Sequence, residues 1–139
     1  MIVLDTNVVS ELMKPEPAEA VVRWIAAQPA VSLYTTSITQ AEILHGIMLL
    51  AAGKRRAALE AAANAMFAQD FDGRVLPFGG EAARACAQIA ARRRRAGLPI
   101  SQFDAQIAAI ARSARAAVAT RNTRDFEDCG IDVLNPWGA

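Results

Sequence analysis

The sequence has little of what usually announces a metalloenzyme or a secreted protein. It holds two cysteines and one histidine in 139 residues. Cys86, Cys129 and His45 form no ligand pattern, which argues against a zinc site and against a disulfide framework. Buried free thiols in a reducing compartment are the expectation. No apolar run approaches the ~20 residues of a membrane span. No basic segment followed by an apolar one opens the chain, so a cytoplasmic protein without a membrane partner is expected. Net charge is scarce as well, at +1, and by itself points to no nucleic acid. What is abundant is apolar content, 53% against 21% charged, which marks a globular chain. One domain over 1–139 is expected, burying roughly two thirds of its unfolded surface.

The charge that is present is unevenly placed. Between Arg74 and Arg124 lie ten arginines, Arg92 to Arg95 in one run, opposed only by Glu81 and Asp104. Such asymmetry fits a face turned to a polyanion, and equally a solvated helix face.

Ile2, Val3 and Leu4 read as a strand buried on both faces, and the run stops at Asp5. Open parallel sheets place their ligands at the carboxyl ends of strands, where Asp5 stands. Asp5 is also a good helix cap. Further strands are expected at Val31–Thr36, Val75–Leu76, Ala117–Thr120 and Ile131–Leu134. Helices are expected after Pro17, over Thr39–Leu50, Lys54–Ala68, Glu81–Ala96 and Ser101–Ala114, with Gly97 and Pro99 closing the fourth of these. The alternation implies an α/β sandwich with a central, mostly parallel sheet of about five strands flanked by helices. The alanine-rich helices at Lys54–Ala68 and Glu81–Ala96 suit either a helical flap or a dimer interface.

Three more residues belong with Asp5. Glu42 is expected in the first turn after the second strand, Asp104 in the first turn of the helix before the fourth, and Asn122 just past the fourth. Singly, each has a structural explanation. Thr39-x-x-Glu42 and Ser101-x-x-Asp104 both match a capping box, and Asn122 suits a turn. Jointly, the strand ends gather Asp5, Glu42 and Asn122 at one sheet edge, and Asp104 joins them if its helix starts near the same crevice. Grouped carboxylates repel unless a cation joins them, and a hard ion such as Mg²⁺, with Mn²⁺ as substitute, takes carboxylate oxygens and keeps several waters. A bound water of that kind can attack a phosphodiester. An aspartyl phosphatase is the weaker alternative, because Asp5-Thr6-Asn7 lacks the second acid of Asp-x-Asp that would move the proton.

Four motifs in order resemble one family. These are Val3-Leu4-Asp5-Thr6-Asn7, Ser37-Ile-Thr39-Gln-Ala-Glu42, Phe103-Asp104-Ala-Gln-Ile-Ala, and Thr120-Arg-Asn122-Thr-Arg-Asp125-Phe126. The chain resembles the PIN-domain ribonucleases, specifically the VapC-like toxins of toxin–antitoxin pairs in the branch that includes FitB. The resemblance runs from Met1 to Asn135-Pro136-Trp137. It implies a PIN-like α/β/α fold, Mg²⁺-dependent cleavage of RNA, a homodimer and a cognate antitoxin of the VapB or FitA type.

It also implies that Asp5, Glu42 and Asp104 are the metal-site acids, Asp5 and Asp104 as direct ligands and Glu42 directly or through water. Thr6 and Thr120 would line that site. Asn122 stands where many relatives carry Asp, which weakens the case for a second metal and keeps a non-cutting RNA- or antitoxin-binding module as the alternative function. Asp125 is the candidate replacement charge, with a surface position the preferred reading. Arg121 and Arg124 are the basic residues nearest the expected site. His45, three residues after Glu42, reads as structural rather than as a neighbour of the metal. Trp24 and Trp137 read as packing residues rather than base-stacking platforms.

Overall fold

The computed structural model describes residues 1–138. Its strands are β1 (Ile2–Leu4), β2 (Leu33–Thr36), β3 (Val75–Leu76), β4 (Ala117–Ala119) and β5 (Val133–Leu134). They pair in the order β3-β2-β1-β4-β5, and every pairing is parallel. The helices are α1 (Thr6–Leu12), α2 (Glu19–Ala26), α3 (Ser37–Met48), α4 (Lys54–Ala65), α5 (Gly80–Arg95) and α6 (Gln102–Ser113).

The central strand divides its side chains between two cores, as a strand buried on both faces must. Val3 and Val118 face one core with Ile89, Ile107 and Phe126, which α5 and α6 cover. Leu4 and Ala119 face the other with Val9, Val21, Ile43 and Phe67, which α1 to α4 cover. The two alanine-rich helices therefore lie on opposite faces, each packed on its own core rather than together as a flap. Small side chains let α5 pack closely on its own neighbour α6, with Ala85 beside Ala108 and Ala109 in one cluster.

Several boundaries move from their sequence expectations. A 3-10 turn, Ala30–Ser32, takes the first part of the expected second strand, so β2 begins at Leu33. The helix expected from Thr39 begins at Ser37, because Thr36 is its cap: the Thr36 hydroxyl accepts from Thr39 N at 3.1 Å. Glu42 consequently lies in the second turn, not the first, and Thr39-x-x-Glu42 is not a capping box. Past Ala65 the fourth helix widens into a π turn, Met66–Asp70. Strand β5 keeps only Val133–Leu134 of the expected four residues. The end of α5 matches its reading. Gly97 takes a left-handed φ of 74°, and Leu98 N then donates back to Arg93 O at 2.8 Å.

Candidate active site

The carboxyl ends of the parallel strands form one rim, and a cavity of about 430 Å³ opens on it. Asp5, Glu42, Asp104 and Asn122 all line it, so the four residues singled out from the sequence converge. Thr6 and Arg121 are on the same wall. Thr120 is not. It is fully buried behind Asp5 and acts on it from there.

Asp5 is the most constrained member. It caps α1, its Oδ1 accepting from Thr6 N at 2.8 Å. Its Oδ2 accepts from the Thr120 hydroxyl at 2.8 Å. The register that pairs Leu4 with Ala119 places Thr120 there, with Asp5 N donating to Ala119 O at 2.9 Å. Thr120 is in turn held by Asn7 Nδ2 at 3.2 Å and Asn122 N at 3.1 Å, both donating to its oxygen. The capping explanation of Asp5 therefore holds, and its carboxyl lines the cavity as well.

Glu42 reaches the rim from α3 through Thr6. The Thr6 hydroxyl donates to Glu42 Oε1 at 2.8 Å. A hydroxyl has one proton, so the 3.0 Å contact between Thr6 and Thr39 hydroxyls must be a bond from Thr39 to Thr6. Asp104 arrives from the far side, in the first turn of α6, where its backbone N donates to the Ser101 hydroxyl at 3.2 Å.

Burial pushes the Asp5 carboxyl up to about 6, despite the hydrogen bonds from Thr120 and Thr6, and the charges of Asp104 and Glu42 add to the rise. Asp104 is also raised, first by burial, with the charge of Asp125 contributing. Asp125 is exposed and faces Asp104 across a smaller cavity of about 180 Å³ that Arg93 and Ser101 also line. Its surface position agrees with expectation, and its charge still reaches Asp104.

Among the described residues, no three His, Cys, Asp or Glu side chains are close enough together to hold a metal by themselves. The donor set nonetheless fits a hard cation. It is all oxygen, it contains a carboxylate raised by burial and by its neighbours, and Mg²⁺ asks for only one or two carboxylates plus water. The softer ligands that zinc or copper prefer are absent from the cavity wall.

The arginine-rich stretch divides into structural and free members. Arg93 is buried and donates to the carbonyls of Leu98, Asp125 and Glu127 at 2.6, 2.9 and 2.8 Å. Arg74 holds the carbonyls of Ala30, Leu33 and Asp70. Arg92 pairs with Asp128 at 2.9 Å. Arg93 and Arg74 are thereby committed to the fold, while Arg92 stays exposed with its charge offset by Asp128. Arg124, exposed on the turn Thr123–Phe126, lies off the cavity, whereas Arg121 is on it. His45 is exposed on α3 and lies off it too.

Sequence reasoning missed Asn7 and Thr39, which orient Thr120 and Thr6. It also missed Glu11, a buried cavity-wall carboxylate that ties α1 to α2. Glu11 accepts from Ala18 N and Lys14 Nζ, each at 3.0 Å, and these bonds hold its carboxyl below the usual range. The signal for Asn7 was its place two residues after Asp5; nothing in the pattern marks Glu11.

An all-parallel sheet with oxygen donors gathered at its carboxyl rim defines a class. Residues 2–131 match the PIN domain, and the chain belongs to that family. Within it, the chain is 44% identical over 137 residues to VapC ribonuclease Y4jK of Sinorhizobium fredii, covering 99% of this chain and 98% of that one. It is 39% identical over 137 residues to toxin FitB of Neisseria gonorrhoeae, covering 99% of each. The crystal structure of FitAcB from Neisseria gonorrhoeae superposes with a TM-score of 0.92 at 39% identity, covering 99% of each chain.

Proposed function

We propose that the protein is a metal-dependent endoribonuclease and the toxin member of a toxin–antitoxin pair. The observation that carries the reading is the convergence of Asp5, Glu42 and Asp104 on one rim cavity of a PIN fold. The names of its relatives, a VapC ribonuclease and a FitB toxin, support the substrate class and the biological role. The solved FitAcB structure supports a bound antitoxin. A homodimer is part of the same reading.

Asp5 and Asp104 would hold Mg²⁺, with Mn²⁺ as substitute, and Glu42 would act directly or through water. The ion supplies Lewis-acid activation of a phosphodiester oxygen and a water of lowered pKa. The chain's own work is positional. Thr120, Asn7 and Thr6 N fix both oxygens of Asp5, and the Thr39–Thr6–Glu42 relay aims Glu42 at the same space. Glu42 or Asp104 orients the attacking water and takes its proton. Asn122, whose side chain makes no cap bond at the turn it starts, offers a neutral amide to the same wall. It adds no charge, so one ion is the expected load.

The test is cleavage of RNA in Mg²⁺ by the wild-type protein and by Asp5→Asn. Cutting by the first and not the second supports the reading. Equal cutting by both would remove Asp5 from the mechanism. RNA binding without cutting by either would establish a binding module, the reading that the neutral Asn122 favours.

A further inference from the structure

One feature of the cavity wall is not used by the hydrolysis. Arg121 follows β4, and Trp137 lies three residues beyond β5. Parallel pairing of these strands brings the two segments together, with Thr120 N donating to Leu134 O at 2.9 Å. The Arg121 guanidinium carbon lies 5.1 Å from the centroid of the Trp137 ring, a cation–π distance. Both residues are anchored through their backbones. Arg121 N donates to Asn7 Oδ1 at 3.2 Å, and Trp137 N donates to Asn135 Oδ1 at 3.0 Å. The indole also packs against the core that holds Leu4 and Ala119.

Arg121 is exposed, and no carboxylate lies within ion-pair distance of it among the described residues. The other cation on this wall, Lys14, is paired with Glu11 at 3.0 Å. A flat guanidinium on a flat ring beside the acids is a planar, positively charged surface. Such a surface takes a nucleobase by stacking and the adjoining phosphate by charge. A base inside a duplex has no free face to offer.

We propose that Arg121 and Trp137 form the platform on which an unpaired base next to the scissile phosphate stacks. This specificity role rests on the ribonuclease reading. Trp137 thus packs, as its sequence suggests, and stacks as well.

The chain has two tryptophans, so Trp24→Phe leaves Trp137 as the sole indole reporter. In that background, with Asp5→Asn to prevent cutting, the protein is titrated with a single-stranded RNA oligonucleotide and with the same sequence as a blunt duplex. Saturable quenching by the single strand and not by the duplex is expected. Arg121→Lys keeps the charge but loses the flat fork, and should weaken that binding about tenfold.

In otherwise wild-type protein, Arg121→Lys and Trp137→Ala should raise KM for RNA about tenfold with kcat little changed, and Trp137→Phe should restore it. No quenching, equal quenching by duplex, or an unchanged KM in Arg121→Lys would overturn the platform. The quenching arm needs no cleavage. Quenching without cutting would therefore sink the nuclease reading alone, and cutting without quenching would sink the platform alone.

Discussion

Asp5 shows what burying a carboxylate costs. Its carboxyl is raised to about 6 from an ordinary value of 3.8, so between those pH values the folded state binds more protons than the unfolded one. Stability should therefore fall as pH rises through that window, by an amount on the order of 3 kcal/mol at most. Asp5→Asn removes the charge and keeps one acceptor oxygen, so relief of the buried charge is offset in part by one lost bond, from Thr6 N or from the Thr120 hydroxyl. Without divalent metal at pH 7 it should melt a few degrees higher than wild type while losing cleavage, and thermal scans at pH 4, 6 and 7 should show a flatter pH dependence. A lower melting point for Asp5→Asn at pH 7 would mean that the buried charge is not the strain inferred. Cleavage at limiting Mg²⁺ should also fall as pH drops through about 6, because protons then compete for the Asp5 carboxylate.

Thr120 can be tested beside it. Thr120→Val removes the hydroxyl whose bond lowers the Asp5 carboxyl, leaves Asn122 N without its acceptor, and leaves Asn7 Nδ2 only its 3.4 Å bond to Asp5 Oδ2. The acid limb of the rate profile should shift to higher pH, read from kcat/KM against pH. An unmoved limb would show that Thr120 is only packing. Asp5 is legible in the sequence because an apolar run ends on it. Thr120 is legible only through the family motif, since its effect depends on strand register.

At the scale of elements, the run Arg92–Arg95 hides one residue unlike its neighbours. Arg93, near the end of α5, holds the Leu98 carbonyl just past that helix and ties it to the segment after β4 through the carbonyls of Asp125 and Glu127. Arg93→Met keeps an apolar stem but strands those acceptors, and should cost about 3 kcal/mol in urea unfolding. Arg94→Ala, on the exposed side, should cost under about 0.5 kcal/mol. Similar losses from both would contradict the assignment. Four identical side chains in a row carry no mark of which one turns inward, so this could not be read without the fold.

The start of α3 was obscured for a related reason. Thr36, Ser37 and Thr39 are all good caps, and the choice among them falls to the position where β2 ends. The end of α5 was legible, because the left-handed position past a helix favours the glycine that Gly97 supplies, whereas α6 ends on Arg115 at a φ of 56° with no such mark.

Across the whole molecule, the site exists because every strand runs the same way. Parallel pairing sets Asp5, Thr36 and Thr120 on one rim though they lie far apart in sequence, and α6 adds Asp104 from the other face. That alternation of strand and helix was readable from apolar spacing alone, and with it the nearness of Asp5, Glu42 and Asn122; that Asp104 joins them depends on where α6 starts. Their spacing was not readable, because it depends on where each helix starts relative to the rim. Among the described residues, no helix is long and apolar enough to cross a membrane.

The central claim is that these separated acids make one cation site. It is tested most directly by calorimetric titration of Mn²⁺ into the wild-type protein, Asp5→Asn and Asp104→Asn at pH 7. The account predicts saturable binding to wild type, weakened in each variant by at least the roughly tenfold that loss of even an outer partner costs. Binding of equal strength by all three proteins, or none by the wild type, would contradict it.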